Sequence, residues 1–224
     1  MMFSLRVPAT TANIGPGFDT FGMALNFYNY MTIGEAESLC LDIQGEGSGS
    51  LAGGKNNLFV RAAQMVYDEV GAGNVAMSVS MINNIPLARG MGSSAATIIG
   101  GMVAANHILN NPLPQEEILQ LATALEGHPD NVAPALLGGF VCVCQDGGKL
   151  HTLNFPPPQA LKAIVVVPQV RLSTEKARSA MPKNVSLKDA VFNVSHAAFL
   201  ALALQKGDID TFGFMLQDRL HQQY

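Results

Sequence analysis

Pro86-Leu-Ala-Arg-Gly-Met-Gly-Ser-Ser-Ala-Ala96 runs without a break into Thr97-Ile-Ile-Gly-Gly-Met-Val-Ala-Ala105. The first half is a glycine-serine turn; the second is small and apolar, with helical character. Gly90 and Gly92 have no Cβ, so the backbone there can take positive φ and come close to a bulky ligand. Ser93 and Ser94 are expected to cap the helix that follows. The first amides of a helix have no intrahelical acceptor, and its dipole favours negative charge at that end, so the segment suits a polyphosphate. It is not a Walker A loop, because no lysine follows Gly92 to reach the β- and γ-phosphates.

Outward from this loop, alternation predicts a strand over Val75–Ile82 before it and a helix from it to about Asn110. Pro112 and Pro114 then break the chain ahead of a helix over Gln115–Leu125, which puts Glu126 at a helix end. Asp130 or Asn131 is expected to cap a short helix ending near Leu137, followed by strands Phe140–Gln145 and Lys149–Phe155 around a Gly147-Gly148 turn. Towards the N-terminus, strands are predicted over Phe3–Val7, Asn29–Glu35 and Leu39–Gln44. Five glycines and two serines between Gly45 and Gly54 mark a loop. After it, Asn56 or Asn57 caps a helix over Leu58–Val70. Pro156-Pro-Pro158 is the best linker, dividing the chain into units 1–155 and 159–224. The second unit reads as an apolar strand over Ala160–Pro168 and helices over Thr174–Met181, Leu187–Gln205 and Ile209–Gln217. One strand gives those helices little sheet to cover.

Two further segments concentrate Gly, Pro, Asn and Asp: Val7-Pro-Ala-Thr-Thr-Ala-Asn-Ile-Gly-Pro-Gly-Phe-Asp19 and Glu126-Gly-His-Pro-Asp-Asn-Val-Ala-Pro134. With the Gly-Met-Gly-Ser-Ser-Ala-Ala loop, in this order and approximate spacing, they resemble the GHMP kinase superfamily, and within it the homoserine kinases. The resemblance runs from Arg6 to Tyr224. It implies an α+β, two-domain GHMP kinase fold: an N-terminal unit like domain 2 of ribosomal protein S5 that binds ATP, and a C-terminal ferredoxin-like unit, here incomplete. Homoserine kinases continue past the position matching Tyr224, so the chain reads as truncated, or as completing its second sheet in another way. A carboxylate-binding arginine found in the family just after that tyrosine lies beyond the last residue.

The resemblance also implies roles, and the residue chemistry agrees with them. Phosphoryl transfer needs the phosphates held, a magnesium ion placed and the acceptor hydroxyl aligned. Pro86, Leu87, Ala88, Arg89, Gly90, Met91, Gly92, Ser93, Ser94, Ala95 and Ala96 would cradle ATP, and Asn57 would contact adenine. As side chains, Arg89 and Lys55 read as solvated cations beside the loop. Mg²⁺ takes one or two protein oxygens besides phosphate and water, which Ser94 and Glu126 would supply. A glutamate at a helix C-terminus is otherwise disfavoured by the dipole. Asn13, Asp19, His128, Thr174 and Arg178 would form the L-homoserine pocket, with Asp19 on the ammonium and Arg178 forked onto the carboxylate. Thr174 and Arg178, four apart, share a helix face. The catalytic set is Asp19, Glu126 and Asn131. Other GHMP kinases place an aspartate where Asn131 stands; an amide cannot take a proton, so the general base stays open, with Asp19 one acceptor.

Composition sets limits. The chain has 224 residues, long enough for a sizeable core. A net charge of −4 with scattered basic residues gives no footprint for nucleic acid. Charged residues make up only 13%, which suggests that part of the surface is covered. Cys142 and Cys144 fall on one strand face, and buried thiols are expected at Cys40, Cys142 and Cys144, without a metal. No secretory signal is evident, and no stretch approaches the ~20 apolar residues of a membrane span, so a cytoplasmic protein is expected. The family resemblance adds a homodimer. The leading expectation is an ATP-dependent kinase of homoserine in threonine biosynthesis. The alternatives are a GHMP kinase of the mevalonate or sugar type, a nucleotide-binding fragment without activity, and a ribosomal-type RNA-binding module, against which the acidic balance argues.

Overall fold

The computed structural model describes residues 2–51, 54–167 and 174–224, the side chains of 55 and 174–176 excepted. One sheet carries the molecule, organised around the fifteen-residue strand β2 (Phe21–Glu35). β1 (Met2–Ala12) pairs antiparallel with it, from Met2 opposite Gly34 to Ala12 opposite Gly22, with a register shift between Pro8 and Thr10. The other edge of β2 is shared. β4 (Met77–Asn83) pairs with residues 30–35 and β5 (Phe140–Asp146) with residues 21–23. β3 (Cys40–Gly45) lies parallel to β4, and β6 (Lys149–Phe155) closes a hairpin with β5.

β1 and β2 are much longer than expected. The 21–28 stretch contains Gly22 and Asn26 and lacks clean alternation; its extension is imposed by ladders to β1 and β5, which local propensity does not register.

Four helices form the opposing layer: α1 (Leu58–Glu69), α2 (Ser93–Ile108), α3 (Gln115–Glu126) and α4 (Pro129–Leu137). α2 is central and therefore buried on nearly every side, through Ala95, Ala96, Ile98, Ile99, Met102 and Ala105. It packs with Phe59, Ala63 and Val66 of α1 over Met31, Ile33, Met77 and Met81 of the sheet in one apolar core.

Asn57 caps α1 as anticipated, its side-chain oxygen accepting the Phe59 N–H at 2.9 Å. The other cap expectations are corrected. Gly92, not Ser93 or Ser94, is the N-cap of α2, with no side-chain bond. His128, not Asp130 or Asn131, is the N-cap of α4, because Pro129 takes the first helical position for which its fixed φ and missing N–H suit it.

Beyond β6 the described residues contain three helices, α5 (Thr174–Ser179), α6 (Leu187–Lys206) and α7 (Ile209–Phe214), and no strand. The expected strand over Ala160–Pro168 is corrected for 160–167. No neighbouring strand pairs with it, and Ile164 and Val166 stand 91% and 85% exposed. Pro168 lies outside the described residues, and no ferredoxin-like sheet forms among them. α6 instead packs Leu200, Ala203 and Leu204, together with Phe212 of α7, onto Phe21 and Phe140. By length and composition α6 is long and apolar enough to cross a membrane, which corrects the expectation that no stretch would be; 22% of its 18-residue apolar window is buried here.

The thiol expectation is corrected as well. Cys40 and Cys144 are exposed, and only Cys142 is half-buried, its thiol pushed up to about 11 by burial. β3 is an edge strand, and the apolar cover over β5 reaches Cys142 but not Cys144.

Candidate active site

The loop before α2 takes the backbone its glycines allow: φ is 72° at Gly90, 64° at Gly92 and 55° at Ala88. Gly92 is required twice over, since a Cβ would be strained at that φ and would run into the Thr10 hydroxyl. β1 comes this close because the Thr10 N–H donates to Met91 O at 3.1 Å. The Ala96 N–H donates to Gly92 O at 2.9 Å, so the amides of Ser93, Ser94 and Ala95 are those left at the open helix end for an anion. Met91, Ala95 and Ala96 are core side chains, so only their main chain can meet a ligand. Arg89 is not the solvated cation expected: it is half-buried, and its Nε is buried without a partner among the described residues.

The two serines part company here. Ser93 is buried, whereas Ser94 is exposed and donates to Glu126 Oε1 at 2.6 Å. Glu126 ends α3, and Gly127 turns the chain back at φ 92°. Burial raises the Glu126 carboxyl above the ordinary glutamate value, opposed by the Ser94 hydrogen bond and by His128, while Asp130 adds to the rise. A desolvated carboxylate beside a hydroxyl is a hard, under-compensated oxygen pair, the donor set that suits Mg²⁺ completed by phosphate and water. Among the described residues no cluster of three His, Cys, Asp or Glu could hold a metal alone.

On the other side, the loop between β1 and β2 holds two non-glycine residues in the left-handed region, Asn13 at φ 56° and Asp19 at φ 55°. The Asp19 N–H donates to Asn13 Oδ1 at 3.0 Å, fixing one against the other. Arg178 of α5 reaches across to this loop: Nη1 donates to Asp19 Oδ2 at 2.9 Å and Nη2 to Oδ1 at 2.5 Å, with the guanidinium over the Phe18 ring. Expected to grip opposite ends of a ligand, these residues grip each other. The Thr174 side chain lies outside the described residues.

The start of α4 completes the site. His128 Nδ1 lies 2.5 Å from Asp130 Oδ1, which raises the imidazole pKa against the lowering effect of burial. Thr10 donates its hydroxyl to Asn131 Oδ1 at 2.7 Å, which engages the amide oxygen and leaves the amide nitrogen as the donor end of Asn131. Gly22 of β2 allows the approach, because a Cβ there would overlap the Asp130 carbonyl oxygen. Thr10 and Gly22 are not singled out by the sequence, and Asp130 only as a helix cap. Thr10 and Asp130 stand inside quoted motifs, but nothing local signals Gly22.

Residues 57–139 match the profile of the GHMP kinases N terminal domain, which fits the phosphate loop, its helix and the Glu126 segment. Over 98% of its length the chain is 49% identical to a homoserine kinase of Moorella thermoacetica, covering 74% of that protein. Over its full length it is 44% identical to one of Symbiobacterium thermophilum, covering 72% of it. The crystal structure of homoserine kinase from Cytophaga hutchinsonii superimposes with a TM-score of 0.86 at 29% identity, over 99% of this chain and 73% of that one. The chain belongs to the homoserine kinase family.

Proposed function

We propose that the chain transfers the γ-phosphoryl group of ATP to the side-chain hydroxyl of L-homoserine, giving ADP and O-phospho-L-homoserine on the route to threonine. The observation that carries this reading is one continuous neighbourhood. An open helix end with the Ser94–Glu126 oxygen pair lies on one side, the Asp19–Arg178 charge pair lies on the other, and His128 is within electrostatic reach of both Glu126 and Arg178.

In this reading the amides of Ser93, Ser94 and Ala95 hold phosphate oxygens, with Arg89 beside them. Ser94 and Glu126 hold Mg²⁺, which when bound offsets the charge of the phosphates. The ammonium of homoserine takes Asp19 and its carboxylate takes the Arg178 fork, each replacing the other residue of the internal ion pair. His128, Thr174 and Asn13 line the same pocket, and the Asn131 amide donates towards the reacting oxygens. The hydroxyl oxygen bonds to γ-phosphorus as the bridge to ADP breaks. The rate comes from alignment and fixed dipoles, without a dedicated base. Asn57 is buried as the cap of α1 and faces the adenine end in this assignment. A nucleotide-binding unit 1–155, part of a second unit over 159–224, and a cytoplasmic homodimer belong to the same reading.

The test is ADP release from MgATP with L-homoserine, L-threonine, mevalonate or galactose as acceptor. Turnover with homoserine alone is expected; preference for mevalonate or galactose would reassign the acceptor site.

A further inference from the structure

We propose that Asp130 is a positioning residue for this reaction: it holds the Nδ1 proton of His128 and so presents Nε2 of that ring to the acceptor hydroxyl. The inference rests on the reading above that places His128 in the acceptor pocket, and on four observations of the chain itself.

Asp130 is fully buried, at 0% exposure. A carboxylate out of water persists when it is paired and hydrogen-bonded. Its only described partner is His128, through Oδ1 at 2.5 Å from Nδ1. An ionised carboxylate only accepts, so this contact puts the ring proton on Nδ1. Asp130 is also the second residue of α4, where the helix N-terminus favours a negative charge.

Oδ2 of Asp130 is buried with no partner among the described residues. A carboxylate serving only the local fold is expected to satisfy both oxygens. This one is placed by the main chain, its carbonyl closed against Gly22, and spends its single bond on the imidazole. The ring keeps 13% of its side chain accessible, and Nε2 has no partner among the described residues. Glu126 and Arg178 both act electrostatically on this ring, so it stands where the phosphate side and the amino-acid side of the site meet. An imidazole with both nitrogens free exchanges its proton between them; one nitrogen held by a carboxylate leaves the other with a defined role.

The test has two readouts. Long-range proton–nitrogen NMR of the ¹⁵N-labelled chain without substrate reports which His128 nitrogen is protonated. Nδ1–H is expected, and a bare Nδ1 overturns the proposal, whether or not any variant folds. Kinetics then compare Asp130→Asn, which keeps the volume but lets an amide N–H turn towards Nδ1, with His128→Ala and the double variant. Asp130→Asn is expected to lower kcat about 10²-fold while leaving the KM for ATP within about twofold. The double variant should be no slower than His128→Ala, because Asp130 acts through that ring. Multiplying losses, or an unchanged kcat in Asp130→Asn, overturn the proposal. A wild type that does not turn over homoserine sinks the functional reading alone, since the NMR readout needs no substrate.

Discussion

Asp19 and Arg178, 159 positions apart, close a two-pronged ion pair between the β1–β2 loop and α5. Both side chains keep more than a third of their surface accessible, 35% and 38%, so the pair itself contributes at most about 1 kcal/mol. Opening it for a zwitterion with the same two charges therefore costs little.

Arg178→Ala is expected to raise the KM for homoserine about 100-fold, the loss of a charged fork, and to leave the KM for ATP unchanged. Initial rates at varied homoserine check this. An unaltered homoserine KM would move the carboxylate site away from α5.

Ser94→Ala and Glu126→Ala should each lower kcat about 10²-fold or more while ATP still binds, because the ion matters most where charge develops. Calorimetry of ATP without metal, set beside turnover, separates the two effects. Full activity in both variants would remove the metal assignment.

Burial raises the Glu126 pKa, so with Mg²⁺ held there as proposed, protons would compete with the ion at a higher pH than at an exposed glutamate. Apparent Mg²⁺ affinity should fall as pH drops through that raised value. Stability of the metal-free chain has the opposite slope: between the unfolded and folded pKa values the native state binds more protons, so rising pH destabilises it. Glu126→Gln should abolish that slope in urea titrations across pH, and an unchanged slope would assign it to another group.

Gly22→Ala drives a methyl group into the Asp130 carbonyl, which the rigid start of α4 cannot yield to. A loss of about 3 kcal/mol in urea unfolding is expected, with a matching fall in kcat as His128 and Asn131 shift. A neutral substitution would show that β2 and α4 are less closely locked.

Asp218 ties the last turn to α6, accepting from Asn193 Nδ2 at 2.6 Å and from the His221 and Gln222 amides at 2.7 and 2.8 Å. Burial would raise its pKa, but these hydrogen bonds outweigh it and the carboxyl sits below its ordinary value. Its contribution is present above the unfolded pKa and is lost as pH falls through the folded one. Asp218→Ala should cost about 2 kcal/mol and steepen hydrogen exchange in 216–224. Unchanged protection there would contradict the assignment.

The sequence made the phosphate loop legible because its signal is local. Glycines at Gly90 and Gly92 are needed for φ, and a helix must start behind them. Glu126 and Ser94 are 32 positions apart, and their meeting was expected only through the family's motif order, as was the grouping of Asn13, Asp19, His128 and Arg178. What stayed hidden depends on partners far along the chain. Thr10 reaches Asn131 over 121 positions, Gly22 is fixed by a carbonyl on another element, and β2 owes its length to strands on both edges. The opposite error, a strand read into 160–167, came from composition alone, since apolar residues make a strand only where another backbone pairs with them.

Gly92 leaves α2 without a side-chain cap, and among the described residues none takes the amides of Ser93, Ser94 and Ala95. In the function proposed, the phosphates of the nucleotide would cap the helix at the centre of the core. Occupancy of the site and integrity of the fold would then be linked in one equilibrium. Nucleotide at about 100 times its Kd should add about 2.7 kcal/mol to global stability, and slowed amide exchange should appear first at residues 93–95, before it spreads along the rest of the helix.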